Sequence, residues 1–94
     1  MRLGVFTTAE SYAKWHMREA NAIEANGLRM AREQLARAKQ NGCADFLAMN
    51  PAITEEHKAE ACARYIKWLE DDVRYLDRKV RKYRRLAQQA LAEA

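Results

Sequence analysis

From Ala59 to Ala87, apolar side chains recur at intervals that alternate three and four residues: Ala59, Cys62, Ile66, Leu69, Val73, Leu76, Val80, Tyr83 and Ala87. A strand, whose side chains repeat every second residue, cannot use this spacing; a helix packed along its length on another helix requires it. With Ala59 at heptad position a, Ile66, Val73 and Val80 also fall at a, and Leu69 and Leu76 fall at d. No seam position is charged. The seam Ile66, Leu69, Val73, Leu76, Val80 and Tyr83 therefore predicts a long helix, about 55–92, packed on the chain's own first helix, on a second copy, or on both.

The first helix is predicted over about 8–41. Thr7-Thr8-Ala9-Glu10 reads as a capping box, with the Thr7 hydroxyl and Glu10 satisfying first-turn amides. Asn41-Gly42 is a stop, because glycine accepts the left-handed backbone past a helix end. Such a helix would be roughly 50 Å long. Tyr12, Trp15, Ile23 and Met30 fall near one side, and Leu28, Ala31, Leu35 and Ala38 on another, with Ala13, Ala20 and Gly27 between. Gly27 costs about 1 kcal/mol against alanine within a helix, and is read as a point of close helix packing. In the connector, 42–54, Phe46, Leu47 and Met49 are too apolar for a solvated loop and predict one helical turn. Asn50-Pro51 interrupts helix, and Thr54 caps the next one with Glu55 and Glu56 at its positive end.

Composition narrows the class. A chain of 94 residues holds one domain at most on the usual scale of roughly 100–200 residues. Mean hydropathy is -0.62 although 49% of residues are apolar, so small alanines dominate the apolar set. With 3 Gly and 1 Pro there is too little punctuation for an all-β chain. Two cysteines are too few for a small secreted disulfide scaffold, and no apolar run is long enough for a membrane span. The opening Met1-Arg2-Leu3-Gly4-Val5-Phe6 is too short for the apolar region of a signal peptide, so a cytoplasmic location is expected. The predicted fold is all-α: a single antiparallel helical hairpin with a coiled-coil seam. Because a two-helix core is small, the hairpin is expected to form a homodimer, an elongated four-helix assembly.

The residues that carry chemistry are sparse. Cys43, Cys62, His16 and His57 show no metal-site spacing, so no metal and no cofactor are expected. Cys62, at a d position, is read as a buried small hydrophobe, and Cys43, beyond the helix stop, as an exposed thiol. His16 has no nucleophile in a recognisable arrangement and reads as packed or solvated. No phosphate-binding glycine loop occurs, and Glu70-Asp71-Asp72 point about 100° apart on a helix and do not converge. No enzymatic activity is expected.

Two groups suggest a contact surface. Arg74, Arg78, Lys79, Arg81, Lys82, Arg84 and Arg85 are opposed within their tract only by Asp77. Arg74, Arg78, Arg81, Lys82 and Arg85 face outward in the heptad frame, with Tyr75 among them, a pattern that serves phosphate binding or a solvated face equally well. Tyr12 and Trp15 on the first helix, and Tyr65, Trp68 and Tyr75 on the second, lie away from the apolar stripes and are the side-chain types that most often anchor protein interfaces.

The order of features resembles one family. Trp15 stands near the start of a long helix that ends at Gly42; Asp45-Phe46-Leu47 follows; a second long helix holds Asp71-Asp72-Val73 and then Lys82-Tyr83-Arg84. Over about residues 10–90 this layout is similar to the Gam-type host-nuclease inhibitors of tailed phages, viral proteins that block the bacterial RecBCD helicase–nuclease. The resemblance implies an all-helical, non-catalytic dimer in the bacterial host cytoplasm, which binds the nuclease and spares linear phage DNA from degradation. The chain departs from a DNA mimic in charge, with a pI of about 9.3; acidic residues could act only locally, through Glu10, Glu19, Glu24 and Glu70 to Asp72. The alternatives are a small basic helical protein that binds nucleic acid through Arg74–Arg85, and a dimeric scaffold or adaptor.

Overall fold

The structure, a computed structural model, describes Phe6 and residues 8–93. Among the described residues the elements run α1 (Ala9–Ala22), a π turn (Ile23–Leu28), α2 (Arg29–Asn41), α3 (Ala44–Met49), a 3-10 turn (Glu55–His57) and α4 (Lys58–Glu93), with no strand. The all-α class follows directly. No helix among these residues is long and apolar enough to cross a membrane.

The helix start differs in detail from its sequence reading. Thr7, the expected cap, and Met1–Val5 lie outside the described residues. The N-cap of α1 is Thr8, whose hydroxyl accepts from the Ser11 amide at 3.0 Å, while the Thr8 amide donates to the Ser11 hydroxyl at 3.4 Å. With Thr8 at the cap, the third helical position is Ser11, so a serine closes the box where Glu10 was expected to.

Contacts divide the chain into two compact units. One is Met1–Leu28 with Tyr75–Ala94; the other is Arg29–Arg74.

The first unit packs α1 and the π turn on the later part of α4. Ala13, Ala87 and Ala90 form its small-residue cluster, with Ala9 and Tyr12 against them. Residues increasing from α1 into the π turn meet residues decreasing along α4: Ala13 lies with Ala87, His16 with Tyr83, and Gly27 with Leu76, so the two run antiparallel within this unit. The buried positions explain the π turn. Ala13 and Ala20 are seven residues apart, two regular helical turns, but Ala20 and the fully buried Leu28 are eight apart. A π turn holds an extra residue per turn and keeps Leu28 on the buried side. The expected close approach at Gly27 is not found: a Cβ there would meet Leu76 Cδ1 at 3.8 Å, an ordinary contact.

The second unit packs α2 and α3 on the earlier part of α4. Its core is Ala38, Cys43 and Leu69, with Leu35, Phe46, Leu47, Cys62, Tyr65 and Ile66 packed around it. Gly42 and Cys43 both take the left-handed conformation, φ 62° and 61°, and the Cys43 amide donates to the Ala38 carbonyl at 2.9 Å. This is the 6→1 bond of a Schellman stop. Cys43 is buried and joined to Cys62 by a disulfide, Cα atoms 5.5 Å apart. The expected exposed thiol at Cys43 and free buried Cys62 are both overturned: the left-handed turn folds Cys43 inward onto the α4 position that the heptad seam had turned toward α2.

Of the predicted seam, Leu69 and Val80 are fully buried, and Ile66, Val73, Leu76 and Tyr83 are half-buried within this one chain. Full burial of a leucine contributes about 1.5–3 kcal/mol.

Candidate functional site

A wide concavity lies in the second unit, where chain reversal after α3 meets the start of α4. Asn50 ends α3, and its side-chain amide donates to the Phe46 carbonyl at 2.8 Å. Pro51 and Ala52 carry the chain round to Ile53, whose amide donates to the Asn50 carbonyl. Thr54, expected to cap the next helix through its side chain, instead places its hydroxyl 2.9 Å from His57 Nδ1. The resulting groove has a volume of about 800 Å³. Its floor and walls are Phe46, Ala52, Ile53, Ala61, Tyr65 and Trp68, and its polar margin is Thr54, His57, Glu60 and Arg64.

The aromatic part is stacked. Phe46 and Tyr65 have ring centroids 4.3 Å apart and planes 13° from parallel; Tyr65 and Trp68 follow at 6.3 Å and 19°. Trp68 remains 61% exposed. Three ties fix the position of α3: the disulfide, the Phe46–Tyr65 stack, and an ion pair from Arg37 Nε to Asp45 Oδ2 at 2.6 Å. At the margin Arg64 pairs with Glu60 at 2.7 Å. An apolar, aromatic floor inside a polar margin is the anatomy of a protein-binding patch.

Tyr65 and Trp68 are among the aromatics that the sequence sets apart as interface anchors; Phe46 and His57 are not. The signal was present in part, since Tyr65 and Trp68 are three apart on one helix, but nothing local in sequence shows that Phe46 returns to stack on Tyr65.

In the first unit the expected contact residues Tyr12 and Trp15 belong to an aromatic cluster. Tyr12 lies 4.2 Å and Trp15 4.9 Å from the His16 ring, both edge-on, and His16 stacks on Tyr83 at 5.4 Å. Trp15 keeps 40% of its surface exposed, while Tyr12 is half-buried. His16 is buried and its Nδ1 has no hydrogen-bond partner among the described residues. Burial lowers its pKa from the ordinary value, and the Glu19 carboxylate opposes this in part.

The basic tract separates into two kinds of cation. Arg74 pairs with Asp71 at 3.2 Å and Arg81 with Asp77 at 3.1 Å. Arg84 makes a two-toothed contact with Glu24, at 3.0 and 3.1 Å, which raises its pKa. Arg78, Lys82 and Arg85 are exposed and form no ion pair among the described residues; Lys79 Nζ sits 5.4 Å over the Tyr75 ring. No cluster of three or more histidine, cysteine or acidic side chains is placed to hold a metal among the described residues. No family model, curated protein or solved structure matches the chain.

Proposed function

We propose that the chain is a non-enzymatic helical protein that docks on a protein partner through the Phe46–Tyr65–Trp68 groove. The observation that carries this reading is Trp68: a tryptophan 61% exposed, at the end of the Phe46–Tyr65 stack. A large aromatic side chain on a fixed floor offers much contact area and loses little freedom on binding, which is what hot-spot residues share.

The layout of Trp15, Gly42, Asp45-Phe46-Leu47, Asp71-Asp72-Val73 and Lys82-Tyr83-Arg84 supports a class of partner, a host DNA-processing nuclease such as RecBCD, with protection of linear phage DNA as the outcome. In this reading the chain acts in the bacterial cytoplasm as one antiparallel hairpin and assembles as a four-helix homodimer. Because Leu69 and Val80 are already buried within the chain, the dimer would use outer side chains such as Trp15 rather than the seam.

The test is direct binding of purified RecBCD to the immobilised protein. The parent should bind, and Trp68→Ala should weaken binding at least tenfold with unchanged helicity. Equal binding by both proteins would remove Trp68 from the contact; no binding by the parent would remove this partner.

A further inference from the structure

Three cations of α4 that form no ion pair among the described residues share one face of the helix. Arg78, Lys82 and Arg85 follow at intervals of four and three, which sets them on one face of a helix, and Tyr75 precedes Arg78 by three. Tyr75, Arg78, Lys79, Lys82 and Tyr83 line a shallow groove of about 320 Å³ within the first unit. No carboxylate lines it, and Asp77, the one acid in this stretch, is turned to Arg81. Tyr75 is 54% exposed and has no aromatic neighbour among the described residues.

We propose that Tyr75, Arg78, Lys79 and Lys82 form a binding site for a single strand of nucleic acid, with phosphates on the cations and a base against the tyrosine. Two observations favour this occupant. The first is charge complementarity: the paired cations Arg74, Arg81 and Arg84 are spent on carboxylates of the chain itself, whereas those in the groove have no carboxylate partner among the described residues. A phosphodiester backbone supplies evenly spaced anions to such a row. The second is the adjoining Tyr75 ring and Lys79 ammonium. A flat apolar face next to a cation matches a base next to its own phosphate, and such platforms recur where unpaired strands are bound. In a duplex the base faces are hidden in the stack, so the exposed ring selects a single strand.

The site is independent of the Trp68 groove, and the experiment keeps the two apart. Fluorescence anisotropy with a labelled 20-mer of oligothymidylate reads binding to the full chain. Three phosphate contacts on a single strand predict affinity about 20-fold weaker at 200 mM than at 50 mM salt. Arg78→Ala/Lys82→Ala should weaken binding and reduce the salt slope by about two thirds. Tyr75→Ala should weaken it about tenfold and leave the slope unchanged. Arg74→Ala/Arg81→Ala removes the same charge from paired positions and should alter the slope much less, and Trp68→Ala should change nothing. The proposal is overturned if the parent does not bind, if a duplex of the same length binds as tightly, if polyglutamate displaces the strand at equal charge, or if the two double variants behave alike.

Discussion

Phe46 and Tyr65 stack with their rings 4.3 Å apart, and each lies three residues beyond one of the two disulfide-bonded cysteines, Cys43 and Cys62. The covalent tie and the ring stack therefore join the same two helices about one turn apart. One closes the loop, and the other supplies the floor on which Trp68 ends.

Breaking the covalent tie should be felt through the whole second unit. Closing a loop of this length is worth about 3 kcal/mol. Urea unfolding of the parent should shift to lower concentration when reductant is added, and Cys43→Ala/Cys62→Ala should show no such shift. Identical midpoints for the parent with and without reductant would contradict the role given to the disulfide. In a reducing cytoplasm the pair would be held as thiols, and the groove would be correspondingly looser.

Acid should weaken the first unit through His16. Its folded pKa is lowered by burial, so between that value and the ordinary 6.5 the unfolded chain binds more protons than the folded one. The stability tied to the neutral ring is present above pH 6.5 and is lost as pH falls through the folded pKa. His16→Phe also removes the unpartnered Nδ1. Thermal unfolding at pH 5 and 7.5 should show a smaller acid loss in the variant than in the parent; equal losses would place the sensitivity elsewhere.

Charge in the seam should cost more where burial is complete. Leu69 is fully buried against Ala38 and Cys43, while Leu76 is half-buried. Leu69→Glu should destabilise by several kcal/mol, and Leu76→Glu by less. Denaturant titration that ranked them in the opposite order would show that the seam is covered by something other than the chain's own helices.

Gly27 should tolerate alanine. The space around it is open except for Leu76 Cδ1, and the gain from a restricted unfolded chain is about 0.4–1 kcal/mol. A higher melting temperature for Gly27→Ala is expected. A clear drop would mean that the π turn itself depends on glycine.

The long helices were legible because their signals are periodic and local. The heptads from Ala59 to Ala87, the stop at Asn41-Gly42 and the turn of helix at Phe46-Leu47 each lie within a few residues of what they determine. The π turn was not legible as such. It appears only as a spacing of eight, not seven, from Ala20 to Leu28, and the composition of the first helix, with alanines rather than leucines on its buried side, hid that count. The disulfide and the aromatic groove were missed for another reason. Both join residues about nineteen apart across a turn whose direction is set by a left-handed Cys43, a conformation that a cysteine does not announce. The split of the basic tract was likewise invisible at Arg84, whose partner Glu24 lies 60 residues away.

Protection of linear duplex DNA from RecBCD, followed with the parent protein and with Trp68→Ala at matched helicity, tests the docking reading most directly. The predicted result is intact DNA with the parent and degraded DNA with the variant. Degradation at the same rate with and without the parent, or equal protection by both proteins, would contradict it.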